Sequence, residues 1–70
     1  MPLMEIRLRI GRNLQGLRAA KGWSQEEFGE RAGLHRTYVS GLERGVRNPT
    51  VTVLEKIARA LGTTIGALTD

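Results

Sequence analysis

Apolar residues along this chain recur every three and four positions and almost nowhere at every second one, a helical period rather than a strand period. Leu3, Ile6, Ile10, Leu14 and Leu17 share one face and predict a first helix over residues 4–20, closed by Gly22. Gly11 and Gly16 interrupt it, each costing about 1 kcal/mol relative to alanine inside a helix. The second helix has the clearest start. Ser24 and Glu27 have the spacing of a capping box, and Trp23 and Phe28 that of a hydrophobic staple, which places both aromatics in the core. This helix runs to Ala32 and stops at Gly33. A third helix is predicted over residues 36–43, ended by Gly45, and residues 46–49 form a loop. Thr50 caps a fourth, whose stripe is Val53, Leu54, Ile57, Ala58 and Leu61 and whose end is Gly62. Thr64 caps a short fifth over residues 65–68. The fold class is therefore all-α, with five helices in one domain spanning residues 1–70.

Two short helices separated by Gly33 and its neighbours have the outline of a helix-turn-helix over residues 25–44. Gly29 lies inside the second helix, where glycine is unfavourable, and a small residue there suits a third helix crossing closely over it. Phe28, Leu34, Val39 and Leu42 fill the angle between the two. At about 100° per residue, Arg36, Thr37, Ser40, Gly41 and Arg44 fall on one side of the third helix and Val39 and Leu42 on the other. The outward set contains no acid.

That mixture suits a DNA groove. Arginine can bond guanine O6 and N7 with two parallel N–H groups, and threonine brings a hydroxyl for a base edge and a methyl for thymine. Arg36, Thr37 and Ser40 are the candidate base readers, with Gly41 supplying room but no side-chain contact. Tyr38, Arg44, Arg47 and Asn48 suit phosphates, which fix register rather than sequence preference. Gln25, in the first turn of the second helix, adds a donor beside free backbone N–H groups, a natural phosphate anchor.

Charge supports this placement. The net charge is +4, and between residues 31 and 48 lie Arg31, Arg36, Arg44 and Arg47 against the single acid Glu43. Glu26, Glu27 and Glu30 precede that basic stretch. Arg7, Arg9 and Arg12 read as a solvated helix face. There is no cysteine and His35 is the only histidine, so it belongs near the cap of the third helix and not in a metal site. No apolar run reaches the roughly 20 residues that span a bilayer, and the start lacks the pattern of a signal peptide. No paired carboxylates, activated nucleophile or phosphate-cradling loop point to an enzyme.

The runs Trp23-Ser24-Gln25-Glu26-Glu27-Phe28-Gly29, Ala32-Gly33-Leu34, Tyr38-Val39-Ser40-Gly41-Leu42-Glu43-Arg44-Gly45, Arg47-Asn48-Pro49-Thr50 and Ile57-Ala58-Arg59-Ala60-Leu61-Gly62 resemble the Cro/repressor-type (XRE-like) helix-turn-helix family. The resemblance covers about residues 10–68. It implies a compact five-helix domain of the lambda repressor-like type that binds operator DNA, commonly as a homodimer. It implies that Arg36, Thr37, Ser40 and Gly41 face bases, and that Gln25, Tyr38, Arg44 and Asn48 face the DNA backbone. It also implies that Arg18 and Glu43 form an inward salt bridge between the first and third helices. Some phage repressors carry glutamines on the reading face; this chain has none there, so their operator preference does not transfer.

The expectation is a cytoplasmic transcription regulator, nucleoid-associated when bound, reading a two-fold symmetric double-stranded operator as a homodimer. It needs no cofactor, metal, small-molecule ligand or membrane, and with so little chain after the fifth helix it has no room for a sensing domain. The brevity resembles phage Cro-like regulators and restriction–modification controller proteins equally. The alternative is a protein-interaction module of the same fold, an antitoxin or adaptor. Its mark is an exposed apolar patch, for which Val46, Val51, Ile65 and Leu68 are the candidates, and dimerisation would use the same residues.

Overall fold

A computed structural model describes the backbone of residues 3–70 and the side chains from Ile6 onward, so the predicted place of the Leu3 side chain in the first stripe lies outside the described residues. The chain forms α1 (Leu3–Ala20), α2 (Gln25–Ala32), α3 (Arg36–Glu43), α4 (Val51–Leu61) and α5 (Ile65–Thr69), with no strand among the described residues. None of these helices is long and apolar enough to cross a membrane.

Local chemistry sets the boundaries. A helix start leaves backbone N–H groups without partners, and at α2, α3, α4 and α5 a side-chain acceptor takes one of them. Ser24 Oγ accepts from the Glu27 N–H at 3.0 Å, Thr50 Oγ1 from Val53 at 3.2 Å and Thr64 Oγ1 from Ala67 at 3.1 Å. The Glu27 carboxylate lies 3.4 Å from Arg31, one turn on, so the capping box is closed from its serine side. His35 caps α3, its Nδ1 accepting from the Thr37 N–H at 3.1 Å. Gly33 ends α2 in the left-handed region (φ 72°), and Leu34 N–H returns to Gly29 O at 2.8 Å.

Every helix contributes to one core. Leu14, Phe28, Val39, Leu42, Ile57 and Leu68 are fully buried, each worth about 1.5–3 kcal/mol relative to exposure. Around them α1 packs on α3 and α5, while α2 packs on α3 and α4. Two expectations change here. Leu68, a candidate for an exposed patch, points into the core, because α5 folds back against α1. Asn13 fastens that return, its Nδ2 donating to Leu68 O at 2.8 Å. Trp23 packs at the rim of the core rather than within it. There its ring carries the Arg31 guanidinium at 4.4 Å and the Lys21 ammonium at 5.7 Å.

Two glycines mark where backbones meet. A Cβ on Gly29 would stand 2.5 Å from Leu34 O, so the close neighbour is the turn ahead of α3 rather than the body of that helix. A Cβ on Gly11 would stand 2.6 Å from both Leu42 O and Glu43 O, which is how α1 reaches the end of α3. Gly16 has nothing within 4 Å of its missing Cβ.

Candidate nucleic-acid interface

The third helix stands on the core through Val39 and Leu42, whose burial orients everything else on it. Arg36, Thr37 and Arg44 are exposed, and Ser40 and Tyr38 are half-buried. The side chains of Arg36, Thr37 and Ser40 make no hydrogen bond within the described residues, so their donors and acceptors remain available. Arg44 turns back along the helix, its Nε donating to Ser40 O at 3.4 Å. Arg47 and Asn48 are exposed on the loop that follows. Arg36, Thr37, Ser40 and Arg44 share the outer side of α3, while Tyr38 packs partly against the core with the Arg47 guanidinium 5.8 Å from its ring. Glu26 and Glu30 line a shallow hollow beside Arg36 and form its acidic border.

Gly41 departs from its expected place. The wheel puts it on the open face, but it is buried. The cover comes from the loop: Arg47 Cγ would lie 2.7 Å from a Cβ at Gly41 and Val46 Cγ2 3.6 Å from it.

Gln25 also gains a partner that a helical wheel does not show. Its Nε2 donates to Glu43 Oε1 at 2.9 Å. The same carboxylate receives Arg18, with Nε to Oε2 at 2.6 Å and Nη2 to Oε1 at 3.0 Å. Arg18 Nη1 donates onward to Trp23 O at 2.7 Å. The side chains are 14% (Arg18) and 5% (Glu43) exposed, so this is a desolvated, forked pair rather than a surface contact. The hydrogen bond to Glu43 raises the Arg18 pKa above its ordinary value; burial opposes the shift and the carboxylate charge adds to it. Glu43, the one acid on α3, is thereby neutralised inward. One carboxylate ties α1, α2 and α3 together and fixes where Gln25 sits at the start of α2.

Sequence reasoning placed His35 near the cap but did not see that its imidazole is the cap. Nor did it see Asn13, a polar residue at the border of the α1 stripe whose only signal was that position. Among the described residues no three of His, Cys, Asp and Glu converge as metal ligands.

A family model described as helix-turn-helix matches residues 14–68. An uncharacterized HTH-type transcriptional regulator, y4dJ of Sinorhizobium fredii, is 49% identical over 59 residues, covering 84% of this chain and 77% of the relative. The crystal structure of the restriction–modification controller protein C.AhdI from Aeromonas hydrophila superposes with a TM-score of 0.91 at 38% identity, covering 97% of this chain and 99% of that one. SinR, the master regulator for biofilm formation, crystallised in complex with DNA, superposes with a TM-score of 0.83 at 35% identity, covering 87% of this chain and 98% of its own. The matched family model, these likenesses and the five-helix arrangement agree: the chain belongs to the helix-turn-helix family, of the Cro/repressor (XRE-like) type.

Proposed function

We propose that this chain is a sequence-specific, double-stranded DNA-binding transcription regulator that acts as a homodimer, with α3 in the major groove. The observation that carries the reading is the outer face of α3. It is held rigid from below by Val39 and Leu42, its one acid is turned inward, and Arg36, Thr37 and Ser40 are left without intramolecular partners. In this reading Arg36, Thr37 and Ser40 meet base edges, while Gln25, Tyr38, Arg44 and Asn48 contact the phosphate backbone. Gln25 uses one amide hydrogen on Glu43 and has the second for a phosphate. That the related SinR was crystallised in complex with DNA supports DNA binding as the shared activity.

The operator is two-fold symmetric, and two copies of α3 enter successive major grooves about 34 Å apart. Principal extents of 31, 22 and 21 Å suit two copies side by side on one face of a duplex at that spacing. Val46 and Val51, 59% and 73% exposed, supply the apolar seam between them. The chain works as one domain in the cytoplasm, on the nucleoid, and performs no catalysis.

Selection of bound sequences from random duplex DNA tests the reading. The expected result is an inverted repeat whose half-sites are one helical turn apart. Affinity should fall with salt, with a slope of log affinity on log salt of about −0.9 per neutralised phosphate. No enriched sequence, or binding indifferent to salt, would refute it.

A further inference from the structure

Gly41 leaves a gap in the outer face of α3, one turn beyond Thr37, and the structure fills that gap from elsewhere. Arg47 lies across it: the Arg47 Cγ occupies the space 2.7 Å from where a Cβ at position 41 would stand, and Nε follows at 3.5 Å. The loop is pinned at the same place, since Val46 N–H donates to Gly41 O at 3.0 Å. Beyond the gap, the Arg47 guanidinium carbon is 5.8 Å from the centroid of the Tyr38 ring. Arg47 is exposed and has no carboxylate partner among the described residues. A six-residue detour of the chain thus returns a long cationic side chain to the helix position that lacks one.

We propose that Arg47 is a specificity-determining residue that reads a guanine edge, delivered over Gly41 and steadied by Tyr38, rather than a phosphate contact of the loop. The assignment rests on the reading of α3 as a major-groove helix. A phosphate contact needs reach and charge, and no cleared seat on the helix. A base reader needs a fixed approach, because two parallel bonds to O6 and N7 tolerate little error in the guanidinium plane. The absent side chain at position 41 and the ring at position 38 supply that approach. Gly41 takes part as the seat, which accounts for a glycine at an interior helix position despite its poor propensity.

The test uses the full chain and repeats the selection from random duplex DNA with wild type, Arg47→Ala, Arg47→Lys and Gly41→Ala, folding being checked by helical circular dichroism. The seat variant should fold, because what its new methyl meets is the flexible stem of Arg47 and not backbone. Arg47→Ala should lose its preference at one base pair in each half-site, by about tenfold, and keep the rest of the motif. Arg47→Lys should lose the same preference while the salt slope stays as in wild type, since the charge remains and the fork does not. Gly41→Ala should flatten that same base pair, and adding it to Arg47→Ala should change nothing more. An unchanged motif with uniformly weaker binding in Arg47→Ala, and a salt slope reduced by about 1, overturns the proposal and makes Arg47 a phosphate contact. Loss of preference at a different base pair in Gly41→Ala overturns the role of the seat. If wild type selects no motif, the DNA-reading assignment fails and this one fails with it.

Discussion

The two interior glycines of α1 should respond to the same substitution with opposite signs. Gly16→Ala places a methyl where nothing lies within 4 Å, inside the C-terminal third of an 18-residue helix. Only the backbone propensity changes, and that gain is about 1 kcal/mol. Gly11→Ala makes the same propensity gain but drives its methyl to 2.6 Å from two backbone carbonyl oxygens of α3. Backbone cannot rotate out of the way as a side-chain tip can, so α1 and α3 must separate. Overpacking of this kind costs about 1–3 kcal/mol and sometimes more, and here the movement also pulls on the Arg18–Glu43 pair two turns further along α1. The expected net loss is about 2 kcal/mol, after the propensity gain is set against the upper part of that range. For a domain of this size 1 kcal/mol moves the thermal midpoint by about 4–8 °C, so the two variants should straddle wild type. Trp23 is the only tryptophan and sits at the core rim, so its fluorescence reports the urea transition without a label. All three proteins need the same concentration, because a dimer adds a mass-action term. Equal shifts in one direction for both variants would refute the claim that α1 and α3 meet backbone to backbone at Gly11.

Other perturbations test the remaining parts. Glu43→Ala should cost about 1–3 kcal/mol, because it leaves the partly buried Arg18 guanidinium without its carboxylate, whereas Arg18→Met combined with Glu43→Leu should recover most of that loss in denaturant titration. A double variant as unstable as the single one would mean that the forked geometry itself, not the stranded charge, sets the cost. The raised Arg18 pKa makes its share of this stability complete below the ordinary arginine value and lost only as pH climbs through the folded one, so titration of this arginine leaves it intact near neutrality. His35→Asp should keep the α3 cap and match or exceed wild-type stability, yet weaken DNA binding by setting a carboxylate beside Arg36; His35→Ala should lose about 1 kcal/mol of stability. Arg36→Ala should cost about 1–3 kcal/mol at one base position in competition binding, and equal weakening on every sequence would make Arg36 a phosphate contact. Val46→Asp with Val51→Asp should yield folded monomers in sedimentation, since neither valine supports the core; an unchanged dimer would place the seam elsewhere.

Helix boundaries were legible because the groups that set them are local. Ser24, Thr50 and Thr64 each bond an N–H three residues away, so spacing alone reveals the cap. The apolar stripes of α1 and α4 were legible for a similar reason: a long helix repeats its face often enough to declare it. The five residues of α5 do not, and Leu68 could be assigned to the core only once α5 was seen folded against α1. A wheel treats the space around a helix as solvent, which is why it left Gly41 open: the covering Arg47 arrives from outside the helix. The same limit hid the bond from Gln25 to Glu43, which joins residues 18 apart in sequence. Arg18 and Glu43 were paired through family resemblance, since residues 25 apart carry no periodic signal.

The side chains of Arg36, Thr37 and Ser40 take no part in holding the domain together. Their substitution is therefore nearly neutral for folding, and if they read bases as proposed, new target sites can be explored without first acquiring compensating mutations. Arg47 is different if it is seated as proposed: its removal leaves the fold intact, but an arginine kept there depends on Gly41 and Tyr38. Retargeting, by selection or by a protein engineer, should therefore be easy at three positions and correlated at a fourth. A library that randomises positions 36, 37 and 40 alone should return mostly folded proteins. One that also randomises position 47 should return glycine at 41 wherever an arginine is kept.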